Sequence, residues 1–292
     1  MALDSTQLAT FAAVVDEGSF EAAARALHVT PSAVSQRIKA LEQAVGQVVL
    51  RRAKPCRATP AGRPLLRLAG QIAVLEREAL AAAGHRDVPW SRAAVVVNAD
   101  SLATWFLPAL VMAGDRILFD VREDDQDHTA DLLRDGAVMA AVTAQREAVQ
   151  GCRAERLGAM RYLATAAPAV AARWFPDGGT AAEFAAAPML VLDRKDRLQH
   201  RFLRSLTPRP AEPPTHYVPS AWGFTEAIRL GVGWGLMPEQ IAGGDLAAGR
   251  VVRLAGGQHL DISLYWQHWK LSSAVLGSLT AAVRRAAAAA LR

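Results

Sequence analysis

Residues 19–46 constrain the fold most, because their pattern predicts two short helices joined by a tight turn. In the first helix the apolar residues recur at 0, +3, +4 and +7, the spacing of one helical face: Phe20, Ala23, Ala24 and Leu27. Ser19 is placed to cap this helix, and His28 and Val29 form the turn. The pattern therefore predicts a helix-turn-helix.

The second helix is predicted to begin with Thr30 as N-cap and Pro31 at its first position, and to end at Gly46. Its apolar residues, at steps of 4, 3 and 4, are Val34, Ile38, Leu41 and Val45. The opposite face is polar and carries Ser32, Ser35, Gln36, Lys39 and Gln43. Short hydroxyls and amides on an exposed stripe can contact base edges in a major groove, whereas an ordinary surface helix would only be solvated.

Three neighbouring features favour DNA binding over an ordinary surface helix. A preceding helix at residues 4–17 completes a three-helix core with Leu8, Phe11, Ala12 and Val15. The segment VVLRRAKPCRATP follows and predicts a basic hairpin, the wing of a winged helix-turn-helix. Residues 25–67 contain nine arginines and lysines but a single acid, Glu42, a local charge of +8 against +5 for the whole chain. Such concentration is typical of proteins that bind the phosphate backbone.

The motif from Phe11 to Gly62, including GSFEAAARALHVTPSAVSQRIKALEQAVG, resembles the N-terminal domain of the LysR-type transcriptional regulators. With the later NADSLATWFLPAL, the chain is similar to the ArgP and LysG subgroup of that family, which senses basic amino acids. The expected partner is double-stranded DNA. The candidate DNA contacts are Thr30, Ser32, Ser35, Gln36, Arg37 and Lys39 in the second helix and Arg51, Arg52, Lys54 and Arg57 in the wing.

Length and composition limit the remaining possibilities. A chain of 292 residues predicts about two domains. No apolar run approaches the roughly 18 residues that span a bilayer, and MALDSTQL does not resemble a signal peptide, so we expect a cytoplasmic protein with no membrane partner. Cys56 and Cys152 lie far apart without metal-ligand spacing, which predicts reduced thiols and no metal site.

A heptad pattern follows the wing. Its apolar positions are Ala61, Leu65, Leu68, Ile72, Leu75, Ala79 and Ala82, which we call the seam. A narrow apolar stripe predicts pairing with a second copy of the chain, in a homodimer or a tetramer. Packing of the seam on the chain's own effector domain is the alternative. Pro64 departs from the usual family pattern, so this helix either kinks there or begins near Arg63.

The second half alternates short β-branched strands with helices, the βαβ rhythm of mostly parallel sheets, and two such sets predict two lobes. The predicted fold class is therefore α/β with an N-terminal all-α winged helix-turn-helix, a long linker helix and a two-lobed effector domain like a periplasmic binding protein. The predicted domains are residues 1–59 for DNA binding, 60–84 for the linker helix, 85–92 for the hinge and 93–292 for the effector domain. Lobe I covers about 93–161 plus 266–292, and lobe II covers about 162–265.

The sequence contains no catalytic motif such as HExxH, GxSxG or a phosphate loop ending in GK[ST]. The three glycines at 231, 233 and 235 follow a helix and precede a strand, the reverse of a dinucleotide-binding loop. We therefore expect neither enzymatic activity nor a cofactor.

A cleft between two α/β lobes is a usual place for a small ligand. Ser101 and Ser220 are predicted to head helices whose free N–H groups can hold a carboxylate, although each could be only a structural cap. Further candidates, at strand ends and early in those helices, are Asp100, Asp124, Asp193 and Thr143 with the aromatic residues Trp105 and Trp222. Alternatively, the acids are solvated and the tryptophans belong to the core.

Together these patterns predict a sequence-specific regulator that responds to a small molecule. The resemblance implies that the effector is lysine or arginine, whose carboxylate and cationic side chain would meet the serines and acids. It also implies control of the export or metabolism of that amino acid. An architectural or replication-control DNA-binding protein without an obligatory effector is the alternative.

Overall fold

The computed structural model describes residues 3–85, 90–124, 129–207 and 211–292. The chain forms two compact units. Unit 1 comprises Met1–Val97, Leu110–Glu155 and Trp266–Val283, and unit 2 comprises Asn98–Ala109, Arg156–Tyr265 and Arg284–Arg292. Unit 2 therefore begins with a helical segment that the sequence analysis assigned to lobe I.

Unit 1 begins with the three predicted helices, α1 (Ser5–Glu17), α2 (Phe20–Ala26) and α3 (Pro31–Val45). The side chains of Ser19 and Thr30 each accept a backbone N–H at 3.2 Å and so cap α2 and α3. Gly46 ends α3 in the left-handed region, with φ of 74°. These caps lie at the predicted positions because they depend only on local sequence.

The faces predicted to be apolar form the core of this three-helix domain. Phe11, Val34, Ile38 and Leu41 are fully buried, while Val45 is only half-buried. The predicted wing is a hairpin of β1 (Leu50–Arg51) and β2 (Arg57–Ala58), which pair antiparallel.

The linker helix α4 (Arg63–Ala82) begins three residues after the predicted start at residue 60. The hydroxyl of Thr59 accepts the N–H of Gly62 at 3.1 Å and holds residues 60–62 in a turn. Pro64 lies in the first helical turn, where backbone N–H groups have no acceptor within the helix. The absence of an N–H at proline therefore costs no helical hydrogen bond. The second of the two possibilities, a start near Arg63 without an interior proline, is therefore correct.

Residues 86–89 of the predicted hinge lie outside the described residues. The elements after the hinge are β3 (Ser91–Val97), α5 (Ala99–Ser101), a π-helical segment (Leu102–Phe106), α6 (Leu107–Ala113), β4 (Ile117–Glu123), α7 (Thr129–Arg134), β5 (Ala140–Thr143), β6 (Cys152–Ala166), α8 (Pro168–Trp174), α9 (Ala181–Ala186), β7 (Met189–Val191), α10 (Leu198–Leu206), β8 (Thr215–Tyr217), α11 (Ala221–Arg229), β9 (Gly235–Pro238), α12 (Glu239–Ala247), β10 (Val252–Arg253), β11 (Leu260–Trp269) and α13 (Ala274–Ala290). None of the described helices is long and apolar enough to cross a bilayer.

In unit 1 the strand order is β11-β5-β3-β4, with β3 parallel to both β4 and β5 as predicted. In unit 2 the order is β10-β6-β11, β9 also pairs with β6, and β7 pairs with β8 in parallel. The pairings of β6 with β9 and β10 are antiparallel, so the expectation of mostly parallel sheets was wrong there. The alternation of helices and strands does not itself fix strand direction.

Strand β6 begins at Cys152, ten residues before the predicted start of lobe II at residue 162. Its first half, CRAERLGAMR, mixes charged residues with glycine and alanine and so has weak intrinsic strand propensity. Contacts that are distant in sequence hold this half: Ala159 exchanges backbone hydrogen bonds with Arg292, and Arg161 pairs with Asp261 of β11 at 2.8 Å.

Unit 2 contains an ion-pair network centred on one buried carboxylate. The carboxylate of Asp245, 1% exposed, accepts hydrogen bonds from Nε of Arg229 at 2.8 Å and Nε of Arg250 at 2.7 Å. Burial opposes ionisation of Asp245, but the hydrogen bonds from the two guanidinium groups outweigh it and hold the pKa of this carboxyl below its usual value.

Replacing Asp245 by Asn should lower the free energy of unfolding at pH 7 by about 1.5–3 kcal/mol, the range for hydrogen bonds to charged groups. Because the folded-state pKa is depressed, this stabilisation is present above the unfolded value of about 3.9 and is lost as the pH falls through the folded value. Denaturant unfolding at pH 7 and pH 3 measures both effects. Asp115→Asn, at an exposed turn, is the matched control. An equal loss for Asp245→Asn at both pH values would contradict the assignment.

Candidate DNA-binding surface and effector site

The exposed face of α3 carries most of the predicted base-reading residues. Thr30, Ser32, Gln36 and Lys39 are exposed, and Ser35 is half-buried. The hydroxyls of Thr30 and Ser32 lie 2.9 Å apart at the start of the helix. These side chains form the polar surface that the sequence predicted, fixed in direction by the buried face of α3.

Arg37 differs from its neighbours on α3. Its side chain is half-buried, and Nη1 donates a hydrogen bond to Oγ1 of Thr10 at 3.3 Å. In this conformation Arg37 ties α3 to α1 rather than extending outward. The sequence did not predict this contact because Thr10 lies on a different helix.

The wing presents the four cations that were predicted to meet phosphates: Arg51, Arg52, Lys54 and Arg57 are all exposed. Arg51 and Arg57 are directly opposite each other in the hairpin register. Like charges directly opposite across two strands are destabilising, so an anion between them would stabilise the hairpin. The guanidinium of Arg52 lies 5.2 Å from the ring centroid of Phe20, which attaches the wing to the start of α2.

A groove of about 400 Å³ separates the wing from the starts of α2 and α3. It is lined by Ser19, Ser32 and Ser35 from the helices and by Arg52 and Lys54 from the wing. Two of the serines that were predicted to contact bases therefore line one concave surface with two of the cations that were predicted to contact phosphates.

In unit 2 the first helical segment contains three of the predicted effector residues, Asp100, Ser101 and Trp105. Ser101 was predicted to be the helix cap, and this was wrong: Asn98 is the N-cap, and Ser101 is the third helical residue. The tetrapeptide NADS contains three residues that can cap a helix, so the local pattern did not determine which one would.

The same segment holds buried polar atoms without a hydrogen-bond partner among the described residues. They are Oδ1 of Asn98, Oγ of Ser101 and Nε1 of Trp105, in side chains at most 4% exposed. Buried polar atoms are normally paired, so three such atoms within eight residues indicate a place that a ligand or water completes. Asn98 was not among the predicted site residues, although it directly precedes the predicted ones.

The carboxylate of Asp100 is held in place by Tyr162, whose hydroxyl donates to Oδ2 at 2.7 Å. Tyr162 is 1% exposed and lies in the middle of β6. Tyr162 was not among the predicted site residues, since its contact lies 62 positions away along the chain.

The other candidates in unit 2 have different surroundings. Oδ1 of Asp193 accepts the backbone N–H groups of Lys195 and Asp196, at 2.6 and 3.0 Å, and so shapes its own loop. Ser220 caps α11 as predicted, accepting the N–H of Gly223 at 3.2 Å. Trp222 is 75% exposed, which makes the alternative of a core tryptophan wrong at this position.

Asp124 and Thr143 belong to unit 1. Asp124 is half-buried directly after β4, and its N–H donates to the carbonyl of Val97. Thr143, fully buried at the end of β5, accepts the N–H of Gln145 at 3.1 Å. The loop that follows is held by the buried amide of Gln267, which accepts the N–H of Val149 at 2.9 Å.

Both cysteines are buried and free, and burial raises the pKa of each thiol. Within the described part of the chain, no three His, Cys, Asp or Glu side chains are grouped as metal ligands.

Family models match both the helix-turn-helix part of the chain and the two-unit part that follows the linker helix. The family "Bacterial regulatory helix-turn-helix protein, lysR family" matches residues 5–63, and "LysR substrate binding domain" matches residues 93–288. The lysine export transcriptional regulatory protein LysG of Corynebacterium efficiens is 44% identical over 295 residues, 99% of this chain and 100% of that protein.

Solved structures give the same result. The crystal structure of ArgP from Mycobacterium tuberculosis is 53% identical, with a TM-score of 0.90 over 100% of this chain and 99% of that one. Full-length LysG from Corynebacterium glutamicum with bound effector Arg is 41% identical, with a TM-score of 0.80 over 99% of this chain and 100% of that one. The chain therefore belongs to the LysR family of bacterial helix-turn-helix transcriptional regulators.

Proposed function

We propose that this regulator senses a basic amino acid, lysine or arginine, and controls the export or metabolism of that amino acid. The observation that carries the proposal is the set of buried, unpartnered polar atoms at Asn98, Ser101 and Trp105. The relatives named for lysine export and the LysG structure with bound Arg support it.

The chemistry of this segment suits an α-amino acid. Nε1 of Trp105 and the hydroxyl of Ser101 can donate to a carboxylate, and Oδ1 of Asn98 can accept from an α-ammonium group. Each unpaired atom is costly while buried, so a ligand that pairs all of them gains free energy on binding.

A cationic side chain needs a carboxylate, and Asp100 of unit 2 is the acid that we propose. Asp124 belongs to unit 1 and stays a prediction from the sequence. Asp100 lies beside Ser101, and the hydroxyl of Tyr162 fixes the orientation of its carboxylate. Asp193 is less suitable than predicted, because backbone N–H groups of its own loop occupy Oδ1. Ser220, Thr143 and Trp222 stay in the proposed site only as predictions from sequence.

The DNA-binding part of the proposal assigns base contacts to Ser32, Ser35 and Gln36, with Thr30 and Lys39 beside them. Arg51, Arg52, Lys54 and Arg57 contact phosphates. The assignment rests on the exposure of all of these residues except the half-buried Ser35, and on the groove that Ser32, Ser35, Arg52 and Lys54 line together. Arg37 takes a positioning role through Thr10.

We also propose that the protein acts as a homodimer through the seam of α4. One side of this helix contacts its own unit: Arg63 pairs with Asp135 at 2.8 Å, and Gly70 packs on Trp269. The first half of the seam packs on the chain's own three-helix domain, where Leu65, Leu68 and Ile72 are half-buried. In the second half, on the side away from these contacts, Leu75 is 43% exposed and Ala79 and Ala82 are exposed. The second half of the seam is therefore the part that we propose meets a second copy.

The division into residues 1–59 for DNA binding, 60–84 for the linker, 85–92 for the hinge and 93–292 for effector binding belongs to this proposal. The limits of the two family matches support it. We place the protein in the cytoplasm, since a regulator with a DNA-binding domain acts where the chromosome is.

Binding assays on cognate and random DNA should distinguish base contacts from phosphate contacts. Gln36→Ala should cost about 1–3 kcal/mol on the cognate operator and little on random DNA, because it removes one base contact. Arg51→Ala should weaken binding to both DNAs. It should also reduce the slope of log affinity against log salt concentration by about 0.9, the value for one phosphate contact. Fluorescence anisotropy at several salt concentrations measures this. Equal losses on both DNAs for Gln36→Ala would remove Gln36 from the base-reading set.

Dimerisation is tested by Leu75→Glu, with Leu80→Glu as the matched control. Both leucines are exposed on α4, at 43% and 46%, but only Leu75 belongs to the seam. An unpaired charge in a symmetric seam should weaken the dimer by several kcal/mol. Sedimentation should therefore show monomer for Leu75→Glu and dimer for Leu80→Glu. A dimer of unchanged affinity in both variants would contradict the seam.

Lysine or arginine should raise the melting temperature, since a ligand at a hundred times its dissociation constant adds about 2.7 kcal/mol of stability. Norleucine, which lacks the charge, should stabilise far less. Asp100→Asn should abolish the preference for basic side chains, whereas Asp115→Asn should retain it. Calorimetry that detects an acidic or aromatic amino acid but neither basic one would overturn this ligand class.

A further inference from the structure

Helix α10 of unit 2 presents a row of arginines that belongs neither to the proposed helix-turn-helix contacts nor to the proposed effector site. Arg197, at the N-cap, Arg201 and Arg204 recur at 0, +4 and +7, the spacing of one helical face, and all are exposed. We call these three residues the basic row. Arg194 and Lys195, in the preceding loop, are exposed as well.

The opposite face of α10 fixes the direction of the row. Leu198, Phe202 and Leu203 are buried, and the ring centroid of Phe202 lies 5.5 Å from that of Phe184 and 6.4 Å from that of Trp234. Rotation of the helix would expose this aromatic cluster. The arginines are therefore held outward by the core of unit 2.

The charge of the row is not balanced within its own helix, because α10 contains no acidic residue. In the described ranges we find no ion pair for Arg197, Arg201 or Arg204, whereas Arg229 and Arg250 of the same unit both pair with Asp245. Like charges three and four residues apart on a helix are slightly destabilising. The row therefore does not serve the stability of unit 2, and an external anion would relieve its repulsion.

We propose that the basic row binds the phosphodiester backbone of duplex DNA, as a contact outside the helix-turn-helix. The row spans about 10.5 Å at 1.5 Å per residue, and each strand of B-DNA carries a phosphate about every 3.4 Å along the axis. The planar fork of arginine matches phosphate in bidentate geometry. A weak contact of this kind would add to the affinity of the helix-turn-helix wherever both contact one duplex.

A membrane surface fits the row less well. An interfacial helix places an apolar face in the lipid, but the apolar residues of α10 are buried in the core. An acidic protein surface would match the charge, and the experiment separates it from DNA.

The test uses the full chain and a duplex of about 60 base pairs of random sequence, with affinity measured across a salt series. The triple variant Arg197→Gln, Arg201→Gln, Arg204→Gln should flatten the slope of log affinity against log salt by about 0.9 for each phosphate that is no longer neutralised, up to about 2.7 per protomer. The matched control is Arg153→Gln, Arg156→Gln, Arg285→Gln, which removes the same charge from exposed positions elsewhere. It should leave the slope close to that of the parent.

Replacement of the three row arginines by lysine keeps the charge and should retain most of the slope, which separates an electrostatic contact from damage to the fold. Thermal unfolding checks that all variants are folded. Equal slopes for the glutamine row variant and its control would overturn the proposal and assign the row to another anion, such as an acidic protein surface.

Discussion

The packing of helix α4 along one side against the later elements of unit 1 joins the three-helix domain to the sheet of that unit. Glu78, near its end, accepts hydrogen bonds from the hydroxyl of Ser273 at 2.7 Å and the N–H of Val275 at 3.2 Å, and so caps the start of α13. Arg67 donates to the carbonyl of Gln150, and Gly70 leaves room for Trp269. The helix that follows the three-helix domain is thus fixed to the sheet of unit 1.

Four elements contain residues of both units: α6, β6, β11 and α13. Tyr162, which holds Asp100, lies in β6, and Glu78 of the linker helix caps α13. A ligand that pairs the buried atoms of Asn98 and Ser101 would stabilise the arrangement of unit 2 in which they lie together. Differential affinity for two arrangements is all that a ligand needs to shift a population.

The N-terminal domain could be predicted almost residue by residue, because its caps at Ser19 and Thr30 and its stop at Gly46 are signals read over three or four positions. For the candidate effector residues, the sequence predicted the segment in which they lie but not their individual contacts. NADS contains several possible caps, and the contact of Tyr162 with Asp100 depends on pairing far along the chain. The exposure of Trp222 and the first half of β6 likewise depend on tertiary packing rather than on local pattern.

The central claim is that an amino acid bound by the effector domain changes DNA binding by the same chain. The most direct measurement is the affinity of the full chain for one operator fragment, at constant salt, with and without saturating arginine or lysine. Allosteric coupling of 1–3 kcal/mol predicts a change of about 5- to 150-fold, and linkage requires the DNA to change the affinity for the amino acid by the same factor. Identical operator affinities with the amino acid demonstrably bound would contradict the account and favour a purely architectural DNA-binding protein.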